Sequence, residues 1–283
     1  MSSASLNITL GRPKDTEPSH ALLMLHGILC SGSNLRSLAL RLVQSDPRLL
    51  AVLVDLRLHG RSQGFTGPHT VERCASDLSE LAASLPLPVT QVLGHSFGGK
   101  VALAFHAAHP ALERVMLLDS APGARPNAYG SEQTNEILYL LDRLPMHFAR
   151  REDFLERVAA EGQPRMIAEW LAMNLQRGTD GFDLRTDTRG IRELLADYFA
   201  RYAWPVISSS RARIDAVIGG RSAVFQPEDR ARSPGAVPSA RASGGRTLGP
   251  RRRLRRRGQG AHGLMFAPRC NARTRALQSK LTP

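Results

Sequence analysis

Short apolar runs punctuate the first part of the chain at ALLMLH (21–26), LLAVLVDL (49–56), VTQVLG (89–94) and RVMLLD (114–119). Runs of this length, apolar without strict alternation, have the composition of strands covered on both faces, as in a parallel sheet. Amphipathic segments separate them. Over 71–85, for example, Val71, Cys74, Ala75, Leu78, Leu81, Ala82 and Leu85 recur at helical spacing. Strand and helix in alternation predict a doubly wound α/β sheet. From about residue 123 to 204 the strand pattern gives way to helical ones, NEILYLLDRL, REDFLERVAA, PRMIAEWLAMNL and GIRELLADYFARYAW, before IDAVIGG (214–220) resumes the sheet. This order divides the chain into a first part of the core at 1–123, an all-helical cap at 124–205 and a returning core segment at 206–232.

Beyond residue 232 the patterning stops. Ser, Pro, Gly, Ala and Arg dominate, neither hydrophobic period survives, and such a stretch buries too little apolar surface to offset its ordering entropy, so 233–283 reads as a disordered or incomplete tail. The charge is equally lopsided. Net charge is +13, yet 12 of the 38 basic residues and none of the 25 acidic ones lie after residue 232, so the first 232 residues are close to charge balance. The run RRRLRRR (251–257) would attract phosphates unspecifically, but no aromatic residues interleave to stack bases, and no specific nucleic-acid partner is expected.

Length allows one sizeable α/β domain: 283 residues bury roughly three quarters of the unfolded surface. The opening residues carry no apolar run of signal-peptide length, no segment approaches a membrane span, and the three cysteines, Cys30, Cys74 and Cys270, are odd in number and widely spaced. Together these predict a soluble cytoplasmic protein with neither disulfide framework nor zinc site. Oligomeric state is unreadable at this level.

The stretch QVLGHSFGGKV (91–101) carries the chemistry, and it parses two ways. As a phosphate loop ending in Lys100 it lacks the hydroxyl that must follow the lysine to hold Mg²⁺, because Val101 stands there, although Asp119 could mimic the metal-binding aspartate of such an enzyme. As G-x-S-x-G it places Ser96 at the apex of a sharp strand-to-helix turn. Residues two before and two after the apex approach each other closely there, and Gly94 and Gly98 are small enough; His95 precedes the serine and is expected to point under the elbow into the sheet. The following helix directs its positive N-terminal end toward charge developing beside Ser96. In LMLHGIL, His26 and Gly27 follow a strand where a loop can bring a second backbone N–H near the nucleophile, with His26 read as structural. The oxyanion donors are then the N–H of Phe97 and that of Leu29, with Ile28 as the fallback.

LHGILCSGSN, VDLRLHGRS, GHSFGGK and LLDSAP, in this order, resemble the small α/β-hydrolase esterases and thioesterases, the branch holding bacterial acyl-CoA esterases and abhydrolase domain-containing protein eleven. WLAMNL, LLADYF and GGRS extend the resemblance through the cap to about residue 232. It implies a catalytic triad. Most α/β hydrolases carry the acid after the seventh strand, where this chain has Ser222 in VIGGRSAVF; in the resembled branch the acid ends the sixth strand, within the motif matched by LLDSAP, which implies Asp119. A helix cap or loop carboxylate is the bland reading of Asp119, and Asp215 and Asp229 are expected to be plain surface charges. The base should follow the last strand, and of nine histidines His262 alone lies C-terminal to the cap. GQGAHGLMFAP is a shifted version, without tryptophan, of the G-x-G-H-W-like motif the family carries. The abrupt composition break near 232 is what a reading-frame change in a GC-rich gene produces; tail peptides and an uninterrupted frame would remove that idea.

Other candidates have bland readings beside them. His106 and His109 lie on the helix after the elbow without ligands at metal spacing. Cys30 either lines the pocket or packs inertly. Trp170, Met173, Leu194 and Tyr198 make either an acyl-chain wall over Ser96 or an ordinary cap core. The chain is thus expected to be a serine hydrolase of carboxylic esters or thioesters, working on a small acyl substrate with no metal or organic cofactor. Alternatives are a hydrolase relic that has lost its base, another reaction of the scaffold such as perhydrolysis or carbon–carbon bond hydrolysis, and, last, a nucleotide binder.

Overall fold

The computed structural model describes residues 4–125, 132–219, 222 and 224–232. Its core is built in chain order from β1 (Ile8–Gly11), β2 (His20–Leu25), α1 (Arg36–Ser45), β3 (Leu49–Val54), α2 (Val71–Ser84), β4 (Val89–His95), α3 (Phe97–Ala108) and β5 (Arg114–Leu118). The cap follows with α4 (Glu132–Arg143), β6 (His147–Phe148), α5 (Arg151–Ala160), α6 (Arg165–Leu171), β7 (Leu175–Arg177), β8 (Phe182–Leu184) and α7 (Thr188–Ala200). The core resumes with α8 (Trp204–Ser209), β9 (Arg213–Val217) and α9 (Pro227–Ala231).

Six strands form one sheet in the order β1-β3-β2-β4-β5-β9, parallel throughout except for β1, which runs antiparallel to β3. The order reverses direction between β2 and β4, the switch point at which open α/β sheets leave a crevice beyond the carboxyl ends of their strands. β2 shows why its run is apolar without alternation. Ala21, Leu23 and Leu25 face a core shared with Val71, Leu78, Val101 and Phe105 of α2 and α3, while Leu22 and Met24 face a second core with Leu35, Ala39 and Val43. Helices cover both faces, so every position is buried.

The cap departs from the all-helical expectation. β6, β8 and β7 pair as a separate three-stranded antiparallel sheet. Each has two or three residues, too few to show a period of two, which is why the sequence pattern registers only the helices around them. β1 was likewise unmarked, being four residues long and partly exposed at the sheet edge. At the other edge, β9 is half-buried at its three middle residues and exposed at both ends, and among the described residues β5 is its sole neighbour. The tail at 233–283, His262 included, lies outside the described residues.

A buried lysine joins core and cap. Lys100, on α3, is buried, and its ammonium donates to the carbonyl oxygens of Gly123, Tyr198 and Arg201, each at 2.8 Å. Gly123 lies on the segment leaving β5, and Tyr198 and Arg201 lie at the end of α7, whose last carbonyls lack helical partners. The ammonium also stands 4.5 Å from the centre of the Tyr198 ring.

Candidate active site

Ser96 sits at the bend between β4 and α3, with φ 51° and ψ −116°. That backbone conformation favours glycine, and holding a Cβ in it costs about 1–3 kcal/mol. The bend is tight because a methyl group on Gly94 would overlap the Gly98 carbonyl, and one on Gly98 would lie 2.6 Å from the His26 oxygen and 2.7 Å from the Leu25 oxygen. Only hydrogen fits at either place. Although Ser96 occupies the N-cap position of α3, its hydroxyl makes no cap bond, and it takes no other partner among the described residues. Its own N–H continues the parallel ladder to Leu118 O at 2.8 Å.

The loop after β2 closes on this bend. A Cβ on Gly27 would stand 3.4 Å from Ser96 Cβ and 3.1 Å from His95 Nδ1, so the loop backbone lies directly against the nucleophile candidate. Gly27 to Cys30 form a turn closed by Cys30 N–H donating to Gly27 O at 3.2 Å, with Ile28 and Leu29 at its centre. Leu29 has φ 55°, the left-handed conformation that the third residue of a type II-like turn requires and that a leucine adopts at a cost. Among the described residues, the N–H groups of Ile28, Leu29 and Phe97 make no turn or loop hydrogen bond, which leaves three donors on the loop and the helix start that flank Ser96.

His26 is buried with both ring nitrogens bonded to the backbone. Its Nδ1–H donates to Gly27 O at 2.7 Å and its Nε2 accepts the Leu56 N–H at 3.0 Å, which fixes the neutral tautomer. Complete burial drives its pKa down to about 4. His59 lies beside it at 4.9 Å between ring centres, its Nδ1–H donating to Arg57 O and its pKa driven by burial to about 3. His95 is half-buried with its ring against Gly27, and burial lowers its pKa while the nearby Asp119 charge opposes that.

Asp119 stands at the end of β5, next to Ser96 across the ladder, since β4 and β5 pair His95 with Leu118. Its φ is 49°, its N–H donates to Val217 O at 2.8 Å, and its Oδ1 accepts the Gly219 N–H at 3.3 Å. Serine and carboxylate therefore occupy equivalent positions at the carboxyl ends of neighbouring parallel strands. Ser222, in the place usual for the acid, is half-buried and accepts the Val224 N–H at 3.2 Å. Asp215 is an ion-pair partner of Arg114 and Arg213, in keeping with a surface charge. Asp229 is not one. It is buried, accepting the Trp204 indole N–H at 2.9 Å, and it packs against Gly123.

The remaining candidates take bland places. His106 and His109 bond Ser210 and Ser79 hydroxyls, and among the described residues no cluster of His, Cys, Asp or Glu could hold a metal ion. Lys100 of the phosphate-loop parse has its three donors spent on carbonyls and is turned into the molecule. Cys30 accepts a weak bond from Trp170 Nε1 at 3.4 Å, and burial raises its thiol pKa. Leu194 is fully buried core, and the Tyr198 ring lies 5.7 Å from that of Phe97 while its hydroxyl shares a hydrogen bond with Ser120, beside Asp119. Met173 is partly exposed, accepting from Asn34 Nδ2 at 3.5 Å. A residue that no spacing marked also reaches the site: Asn174, whose amide meets Leu29 O across 145 positions of sequence. The described clefts of about 400 and 480 Å³ lie along α2, α3 and α8 and include none of Ser96, Asp119 or the 26–30 loop. No helix among the described residues is long and apolar enough to cross a membrane.

Comparison with known proteins bears on the fold and family. The chain is 29% identical over 221 residues to the sn-1-specific diacylglycerol lipase ABHD11 of Danio rerio, covering 75% of this chain and 66% of that protein. It is 30% identical over 190 residues to the protein of the same name from Xenopus tropicalis, covering 64% of this chain and 57% of that one. The chain thus spans under two thirds of the length of these relatives. Among solved structures, a marine microorganism esterase superposes with a TM-score of 0.68 at 25% identity, covering 81% of this chain and 86% of that one. A thioesterase domain from the curacin biosynthetic pathway shares the fold, with a TM-score of 0.57 at 22% identity over 80% of this chain and 83% of that one. Residues 22–269 match the alpha/beta hydrolase family, and with the strained serine between β4 and α3 at the switch point of a six-stranded sheet, this chain belongs to that family.

Proposed function

We propose that the protein hydrolyses carboxylic esters or thioesters through an acyl-serine intermediate. The observation that carries the reading is the Ser96 hydroxyl, held at φ 51° with no partner of its own beside backbone N–H groups that are also unspent. A hydroxyl in that setting is positioned for attack on a carbonyl carbon, and donors already aimed at the developing oxyanion need no reorganisation when charge appears. Each such donor contributes about 3 kcal/mol of transition-state stabilisation in comparable enzymes.

In this mechanism Ser96 Oγ forms a bond to the acyl carbon while its proton passes to a histidine. The Leu29 and Phe97 N–H groups hold the oxyanion, and the tetrahedral adduct collapses by releasing the alcohol or thiol, which takes the proton. Water then repeats the sequence and frees the acid. Asp119 orients the histidine and stabilises its imidazolium form. His262, in the described family's expected chain order, is the base of this reading. The esterase and lipase names of the relatives support ester cleavage.

A fluorophosphonate probe tests the proposal, followed by a panel of p-nitrophenyl esters and acyl thioesters of graded chain length. Wild-type protein should label and turn over substrate, and Ser96→Ala should do neither. Removal of the base should lower turnover by about a millionfold, as in other serine hydrolases; labelling and turnover that persist in His262→Ala would remove His262 from the base role. A folded wild-type protein that takes no label would overturn the proposal in favour of a relic.

A further inference from the structure

The cap meets the loop that carries the oxyanion donors at one short segment. Trp170 Nε1 donates to Cys30 Sγ at 3.4 Å, Asn34 Nδ2 donates to Met173 Sδ at 3.5 Å, and Asn174 Nδ2 donates to Leu29 O at 3.1 Å and to Leu171 O at 3.2 Å. The last contact differs from the others in strength and in what it holds. Both partners of Asn174 are carbonyls, which only accept, so the amide nitrogen must face them and both of its hydrogens have an acceptor. One anchors the side chain to the turn that ends α6, and the other reaches the loop.

Leu29 is the residue whose backbone geometry sets the proposed oxyanion hole. Its N–H belongs to the peptide joining Ile28 to Leu29, and its carbonyl belongs to the peptide joining Leu29 to Cys30. The two planes are related by φ and ψ of Leu29, of which φ is held at the unfavourable value of 55°. The second peptide is gripped at both ends, by Cys30 N–H donating to Gly27 O and by Asn174 donating to Leu29 O. With that plane held and the turn closed on Gly27, the Leu29 N–H keeps little freedom to turn. Without the amide, the leucine is free to relax toward negative φ, which rotates its N–H away.

From this geometry we infer that Asn174 is a positioning residue for the oxyanion hole, supplied by the cap to the core. The inference rests on the acyl-serine reading above and deepens it: the cap completes the catalytic loop, in addition to covering it. Asn174 does not touch the reacting atoms. It acts through the Leu29 peptide, so its removal should weaken binding of the tetrahedral state more than binding of the substrate.

The test compares wild type, Asn174→Ala and the isosteric Asn174→Asp, which keeps the shape, loses the donor and sets a negative charge against the Leu29 oxygen. Each is assayed on a p-nitrophenyl ester for kcat and KM, and against a trifluoromethyl ketone. That probe takes up Ser96 Oγ at its carbonyl carbon, passes the serine proton to the base and leaves its oxygen as an oxyanion. Both variants should lose about tenfold to a hundredfold in kcat, less than the hundredfold or more that removal of a direct donor brings, with KM within about threefold of wild type. Affinity for the ketone should fall by the same factor as kcat/KM, both read well below the unfolding midpoint of each variant. A kcat within twofold of wild type in both variants, or a rise in KM with ketone affinity intact, would overturn the inference while leaving the acyl-serine reading standing. A folded wild type that neither turns over ester nor binds the ketone would bring down both.

Discussion

The strain at Ser96 gives a stability prediction that separates the backbone argument from the chemistry. A residue with a Cβ at φ 51° and ψ −116° carries about 1–3 kcal/mol of steric cost, whereas glycine reaches this region almost freely. Ser96→Ala keeps the Cβ and therefore the strain, losing only a hydroxyl that has no partner among the described residues, so its stability should lie within about 0.5 kcal/mol of wild type. Ser96→Gly removes the strain, but it adds about 0.5–1 kcal/mol of chain entropy to the unfolded state. The difference leaves Ser96→Gly more stable than Ser96→Ala by about 1 kcal/mol, or roughly 2–4 °C in midpoint for a body of this size. Urea unfolding followed by tryptophan fluorescence measures it, with Trp170 in the cap and Trp204 in the core as reporters of both parts. Neither variant should take a fluorophosphonate label. A glycine variant no more stable than the alanine variant would refute the strained bend, whatever the labelling showed.

Other outcomes follow from the same geometry. Gly98→Ala should lose about 1–3 kcal/mol and most activity, because its methyl group meets two backbone oxygens at the end of β2 that cannot move independently; a variant with wild-type unfolding midpoint and turnover would contradict the close approach. Asp119→Asn should fold normally, since asparagine tolerates φ 49°, and should lose on the order of ten-thousandfold in kcat/KM; a loss under tenfold would remove Asp119 as the acid. Acid should destabilise the protein through its buried histidines. The folded pKa of His26, about 4, lies below its ordinary 6.5, so between these values the unfolded chain binds a proton that the folded one refuses. Stability therefore falls as pH drops from 6.5 toward 4, by about 3 kcal/mol for this group, and His59 adds a loss of the same sign extending toward its pKa of about 3. Urea midpoints at pH 7 and pH 5 that coincide would contradict this.

The elbow was legible in the sequence because everything that makes it is local: an apolar run, a serine between glycines, and a helix pattern. The doubly buried strands were legible for a related reason, since two covered faces leave no position for a polar residue. What escaped the sequence depends on distance or brevity. Asn174 meets its partner across 145 positions, and nothing in WLAMNL distinguishes its amide from any other on a helix end. Asp229 looked like a surface charge because it sits among Pro227, Glu228 and Arg230, whereas its environment comes from Trp204 and Gly123. The strands of the cap are shorter than any periodic test can detect.

Lys100 gives the insertion between β5 and α8 a closed neck. The chain departs at Gly123 and comes back at Arg201, and one ammonium grips the backbone at both points from the helix that begins at Ser96. A module whose entry and exit are pinned to the same spot can vary in length and sequence between them without asking anything new of the sheet. The insertion can thus be exchanged as one contiguous stretch, provided the replacement still presents carbonyls to that lysine.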